Sequence, residues 1–144
     1  MSQRGLLEDM IFIQYLIKKL YKEFEIQGLG KKLNTTQLWV LAIMSQHDKM
    51  TMSEICKLVV LEKGSFKTTI DLLSDYGYIQ SEKAADDKRK IYLSLTTDGA
   101  QVAQKVNNCL EDYLHRRFNG LDDFTRQNIL NAIHVLAEYA KELI

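Results

Sequence analysis

The stretch Lys90-Ile91-Tyr92-Leu93-Ser94-Leu95 changes the period of the sequence. Ile91, Leu93 and Leu95 alternate with Lys90, Tyr92 and Ser94, the spacing of a strand with one buried face. Upstream, Tyr78-Ile79-Gln80-Ser81-Glu82-Lys83 can pair with it, and the polar run Ala84-Ala85-Asp86-Asp87-Lys88-Arg89 reads as the tip between the two. The sequence on either side is helical in period, so this hairpin decides the architecture.

Working back from the hairpin, Phe66, Ile70 and Leu73 predict a helix that begins after Leu61, turns these side chains inward and ends at Gly77. Thr51 or Ser53 caps a short helix carrying Ile55, Cys56 and Val59. Thr35 or Thr36 caps another, which runs through Leu38, Leu41 and Met44 to about His47. Earlier still, Leu6, Met10, Ile13, Ile17, Leu20 and Phe24 are spaced by fours and threes over residues 6–26. They make one apolar helix face, with Gly28 and Gly30 as stops. Beyond the hairpin, Thr96 or Thr97 caps a long helix with Val102, Val106, Cys109 or Leu110, Tyr113 and Phe118 on one face. Gly120 breaks it, and Asp122 or Asp123 caps a last helix bearing Ile129, Ile133, Leu136, Ala140 and Leu143.

Composition narrows the function classes. Of 144 residues, 46% are apolar and 26% charged, which supports one domain with a core and excludes a disordered chain. No run of about 18 apolar residues reads as a membrane span. Cys56 and Cys109, with no apolar leader behind Met1, argue against a disulfide scaffold and against secretion, so a cytoplasmic protein is expected. Nineteen basic side chains balance 19 acidic ones. A case for nucleic acid therefore rests on where the charges sit, since their sum is zero.

No enzyme is expected. His47, His115 and His134 fall in three different predicted helices or their ends, no two at the i, i+4 spacing of a metal pair and none near a cysteine in sequence. No glycine-rich phosphate loop or nucleophile elbow is present, so neither a metal nor a cofactor is expected. Cys109 falls on the inner face of its predicted helix and reads as a packing residue.

Two short helices with a tight connection, followed at once by a two-stranded hairpin, have the layout of a winged helix-turn-helix. In that layout the second short helix enters the major groove, and the hairpin follows the backbone or reaches the minor groove. On these elements the sequence resembles the MarR family of bacterial transcriptional regulators. The resemblance covers essentially the whole chain and is densest from Leu33 to Gly99. It is carried by Leu33-Asn34-Thr35-Thr36, Ser53-Glu54-Ile55-Cys56, Lys63-Gly64-Ser65-Phe66-Lys67-Thr68, Leu73-Ser74-Asp75-Tyr76-Gly77, Asp87-Lys88-Arg89 and Leu95-Thr96-Thr97-Asp98-Gly99, in family order and spacing. Lys67 and Thr68 stand where many members place a hydroxyl residue and then an arginine, which points to a different base preference. Cys56 stands where the family pattern has a small core residue, so the resemblance implies that it is packed.

The fold class expected is mainly α with a small β-hairpin: a winged helix-turn-helix flanked by N- and C-terminal dimerisation helices. The resemblance implies a single MarR-like domain over residues 1–144, with the winged core at about 33–96 and dimerisation helices at about 6–27 and 97–144. It further implies a homodimer on a pseudo-palindromic double-stranded DNA operator, acting as a repressor released by a small aromatic or lipophilic effector. The family's ligand crevice lies between the first, second and fifth helices, and Phe12, Tyr15, Trp39 and Tyr113 are the aromatic residues that region offers here.

The residues themselves support DNA contact. With Phe66, Ile70 and Leu73 buried, the other face of the recognition helix presents Lys63, Ser65, Lys67 and Thr68, which suit base edges and phosphates. Lys83 to Tyr92 holds four basic residues against two acidic, a local excess in a neutral chain. There Arg89 can enter a narrow minor groove, Lys88 adds charge, and Asp87 can hold the Arg89 guanidinium in a bidentate pair. The competing reading is a winged-helix protein-interaction module that no longer binds DNA, which zero net charge favours and Lys67, Lys88 and Arg89 oppose.

Overall fold

In a computed structural model of the chain, the structure describes residues 4–26, 29, 31–59 and 66–144. In chain order the elements are α1 (Leu6–Lys22), α2 (Thr35–Met44), β1 (Met50–Thr51), α3 (Met52–Leu58), α4 (Phe66–Asp75), β2 (Ile79–Lys83), β3 (Ile91–Leu95), α5 (Thr97–Asn119) and α6 (Asp123–Tyr139), with a closing 3-10 turn at Ala140–Glu142. The chain forms two compact units, Met1–Leu110 and Glu111–Ile144. The expected class, mainly helical with a small sheet, is what forms.

The sheet has the order β1-β3-β2 and is antiparallel throughout. The hairpin pairs Ile79 with Leu95 at its base and Lys83 with Ile91 at its outer end. Ala84 N–H then donates to the Lys90 carbonyl at 3.0 Å, which extends the ladder by one step. The strand β1, which the sequence reading did not anticipate, sets Met50 opposite Leu93 and Thr51 opposite Tyr92. Met50, Ile79 and Leu93 are buried, and they share the core with Leu38, Leu41 and Met44 of α2, Ile55 of α3, and Ile70 and Leu73 of α4. Each such side chain contributes roughly 1.5–3 kcal/mol by leaving water.

Side-chain caps start α2, α3, α5 and α6. The sequence pointed to Thr35 or Thr36 for α2, but Asn34 does the work: its Oδ1 accepts the Gln37 N–H, and Gln37 Oε1 accepts the Asn34 N–H, both at 2.8 Å. This reciprocal box satisfies two donors that a helix end otherwise leaves open. Thr51 caps α3, Thr96 caps α5 and Asp122 caps α6, each accepting the N–H three residues on.

The end of α4 is a Schellman turn. Gly77 adopts φ +79°, its N–H donates to Ser74 O at 2.9 Å, and the Tyr78 N–H reaches back to Leu73 O at 3.0 Å. Thr96 closes the same junction, donating its hydroxyl to Gly77 O and its N–H to Tyr78 O. On α5, the residues that turn inward are Gly99, Ala103, Val106 and Leu110.

Several sequence expectations need correction. The helix predicted over residues 6–26 ends at Lys22, where Glu23 N–H donates to Lys19 O, and Phe24 leaves the helical path to be buried against the ring of Trp39. The expected stops Gly28 and Gly30 lie outside the described residues. Cys56 is exposed, not packed: α3 turns Ile55 inward, and the next residue around a helix faces about 100° away. Cys109 is half-buried, and its neighbour Leu110 takes the inner position. The apolar stripes of α1 and α6 form as expected, yet neither helix has a buried residue.

Candidate nucleic-acid interface

The wing tip is built by a local turn. Asp87 Oδ1 accepts the backbone N–H of Arg89 at 3.0 Å, and Lys90 N–H donates to Asp87 O at 3.1 Å. This is an Asx turn, so the carboxylate orders the backbone beneath Arg89. The guanidinium pairing expected from the sequence is replaced by that backbone contact. Lys88, Arg89 and Lys90 are all exposed.

Near the hairpin's outer end, Lys49, just before β1, forms an ion pair with Glu82 of β2. That partner raises the Lys49 pKa, first through the hydrogen bond and then through the opposite charge. The pair spans the sheet from its short edge strand to the far strand of the hairpin, and β3 runs between them.

Arg89, Lys90 and Ile91 line one groove of about 320 Å3 with Thr51, Met52 and Ser53 at the start of α3. The fold thus brings wing cations beside two hydroxyl residues of the first short helix, a set of donors that matches phosphate oxygens. Lys90, Thr51 and Ser53 were not singled out as contacts beforehand. The alternation that marks β3 drew Lys90 into the strand pattern, and Thr51 and Ser53 read only as caps.

On α4, Lys67 and Thr68 are exposed while Thr69, Ile70 and Leu73 turn inward, so the polar face expected of a recognition helix is present. Lys63 and Ser65 lie outside the described residues. The exposed face continues through Asp71, one turn beyond Lys67, which places an acceptor next to the cation.

Of the four aromatic residues read for a ligand crevice, Phe12, Tyr15 and Trp39 belong to the first unit. Trp39 stacks on Tyr21, with ring centres 4.0 Å apart and planes at 10°, and meets Phe24 edge-on at 6.4 Å. Its Nε1 is buried with no hydrogen-bond partner. Phe12 and Tyr15 stand exposed on α1, with Arg4 over the Phe12 ring at 5.4 Å. Tyr113 belongs to the second unit, where Arg117 lies 5.7 Å from its ring centre. A separate groove of about 630 Å3 runs along the α1–α2 connection, with Phe24, Leu29, Leu33 and Leu38 among its lining. Among the described residues, no group of three or more His, Cys, Asp or Glu is placed to hold a metal ion, and no helix is long and apolar enough to cross a membrane.

The pattern of the winged helix DNA-binding domain family matches residues 36–114, more than half of the chain. The chain belongs to the winged helix DNA-binding family. This winged helix chain is 26% identical over 142 residues to the HTH-type transcriptional repressor MdtR of Bacillus subtilis, an alignment covering 97% of this chain and 89% of MdtR. A MarR transcriptional regulator from Methanosarcina mazei Go1 superposes with a TM-score of 0.72 at 19% identity, over 98% of this chain and 100% of that one. BpsR of Bordetella bronchiseptica, whose DNA binding is regulated by 6-hydroxynicotinic acid, superposes with a TM-score of 0.68 at 18% identity, over 88% and 98%. The MarR resemblance read from the motifs is borne out, and the winged helix core sits within a MarR fold.

Proposed function

We propose that this winged helix protein is a cytoplasmic, homodimeric repressor of transcription that grips a pseudo-palindromic duplex and is released by a small aromatic or lipophilic ligand. The observation that carries the DNA reading is the groove in which Arg89 and Lys90 of the wing meet Thr51 and Ser53 of α3. In a chain of zero net charge, this is cationic charge placed where a winged helix meets the phosphate backbone. Lys67 and Thr68, with Lys63 and Ser65 before them, supply base and phosphate contacts from the recognition helix. Arg89 reaches the minor groove, Lys88 flanks it, and Asp87 sets the turn.

The dimer reading rests on α1 and α6. Leu6, Leu7, Met10 and Ile11 of α1, and Ile133, Val135 and Leu136 of α6, are exposed on the single chain. Contiguous apolar faces of this kind are normally covered, and a second copy offers the same faces in return. Repression is extended to this chain from MdtR, which is named a repressor, and control by a small ligand from BpsR, whose DNA binding is regulated by 6-hydroxynicotinic acid.

The test is selection of duplexes from a random-sequence library, followed by footprinting. Two protected half-sites about one helical turn, roughly 34 Å, apart are expected. Retention of no duplex would leave the interaction-module reading in its place. Trp39 is the one tryptophan of the chain, so its fluorescence reports directly on aromatic ligands titrated against the protein.

A further inference from the structure

Lys31, in the connection between α1 and α2, reaches 45 residues along the sequence to the far end of the recognition helix. Its Nζ donates to the Tyr76 carbonyl at 3.1 Å, lies 4.6 Å from the centre of the Tyr76 ring and 5.3 Å from that of Tyr78. The two rings meet edge to face, 5.9 Å apart at 63°, and so form a corner around the ammonium group. Tyr76 directly follows the last residue of α4, where the helix dipole is negative and a cation is favoured. Ring faces add a second attraction for the same charge.

We infer that Lys31 is a positioning residue for DNA recognition, latching the α1–α2 connection onto the C-terminal end of α4. The junction it holds is the one through which α4, β2 and α5 are joined. Tyr78 supplies a ring to Lys31, its N–H to Leu73 O, and its carbonyl to Thr96. A 10-residue helix is about 15 Å long, so a few degrees of rocking at this end displaces Lys67 by about 1 Å. Hydrogen bonds to base edges do not survive many such displacements. The side chain acts through α4 and does not itself meet DNA.

This inference rests on the proposed DNA binding, and two measurements keep the two apart. The first titrates wild type, Lys31→Met, Lys31→Arg and Lys32→Met against a duplex enriched by wild type from a random library, across a salt series. Lys32 is the exposed neighbour of equal charge. Lys31→Met is expected to bind about five- to tenfold more weakly, in keeping with the loss of two exposed cation–π contacts, with an unchanged slope of log affinity against log salt. Lys31→Arg should recover to within about twofold, since a guanidinium also serves a ring face and a carbonyl, and Lys32→Met should resemble wild type. A slope reduced by about 1 in Lys31→Met would make Lys31 a phosphate contact and overturn the inference. So would binding equal to wild type.

The second measurement is amide hydrogen exchange at Gly77 and Tyr78 in the free protein, which needs no DNA. Faster exchange in Lys31→Met, restored in Lys31→Arg, is the expected result, and unchanged exchange overturns the latch. If wild type enriches no duplex, the DNA reading fails and exchange alone decides whether the latch exists.

Discussion

A Cβ on Gly99 would stand 1.9 Å from the carbonyl oxygen of Tyr78. The same carbonyl accepts the Thr96 N–H at 3.0 Å, so the first turn of α5 is pressed against the backbone that links α4 to β2. Backbone on both sides leaves nothing flexible to yield. Gly99→Ala should therefore destabilise the protein by about 1–3 kcal/mol, even though alanine is the better helix former. Urea denaturation of the variant, with Gly120→Ala as an uncrowded control, checks it; a Gly99→Ala midpoint equal to wild type would refute the close approach.

The wing makes a prediction that depends on what Asp87 holds. Arg89→Ala should weaken operator binding and lower the salt slope by about 1, leaving folding unchanged because the side chain is exposed. Since Asp87 accepts a backbone N–H, Asp87→Asn should bind nearly as wild type, whereas Asp87→Ala should loosen the turn and lose affinity. If Asp87 instead worked by pairing with the guanidinium, the asparagine variant would fall with the alanine one. The four titrations separate the two roles.

The proposed dimer can be broken without touching the core. Ile133 is exposed on the single chain, so Ile133→Asp leaves the folded monomer intact while placing a charge in the paired face. Burying an unpaired charge costs several kcal/mol, so the dissociation constant of the dimer should rise by about a hundredfold or more. Removing residues 121–144 should have the same consequence, and both changes should abolish specific DNA binding. Sedimentation at several concentrations measures the first effect; a truncated chain that still dimerises and binds normally would exclude α6 from the interface.

Acid sensitivity has an identifiable contributor in Asp122. The Thr125 backbone N–H at 2.7 Å, and then its hydroxyl, hold the Asp122 carboxyl below its ordinary pKa of 3.8. A folded pKa below the unfolded one adds stability that is complete above the unfolded value and disappears as pH falls through the folded value. Asp122→Asn keeps the acceptor and cannot titrate. The wild type's advantage over this variant should be constant near neutrality, begin to fall near about pH 4 and be lost as pH drops through the lowered folded value. Thermal melts from pH 7 to pH 2 give the comparison, and a difference that does not change with pH would contradict it.

How much of this was legible in the sequence depended on the length of each pattern. The hairpin was readable because Ile91, Leu93 and Leu95 repeat the alternation three times, while its register, with Ile79 opposite Leu95, is seen only in the structure. The strand β1 has two residues, too few to display any period. Asn34 was overlooked although the signal was present: Asn34 and Gln37 have the spacing of a capping box, and the adjacent threonines competed for the role. The packed reading of Cys56 came from the family pattern, and the seven residues of α3 are too few for their own periodicity to correct it: Ile55 takes the inward position. Lys31 could not have been found, because its partners lie 45 and 47 positions away and nothing local marks the contact.

The bare stripe of α1 also bears on how the protein is made. As the chain leaves the ribosome, α1 emerges before the winged helix core, and none of its 17 residues is buried even after the whole chain has folded. Folding of the core gives this helix no shelter, so a newly made molecule displays a sticky segment until something covers it. If a second copy covers it, as proposed, neighbouring nascent chains on one messenger are the nearest source. Assembly beside the ribosome would shorten that exposure, and a chain made in isolation would call on chaperones for longer.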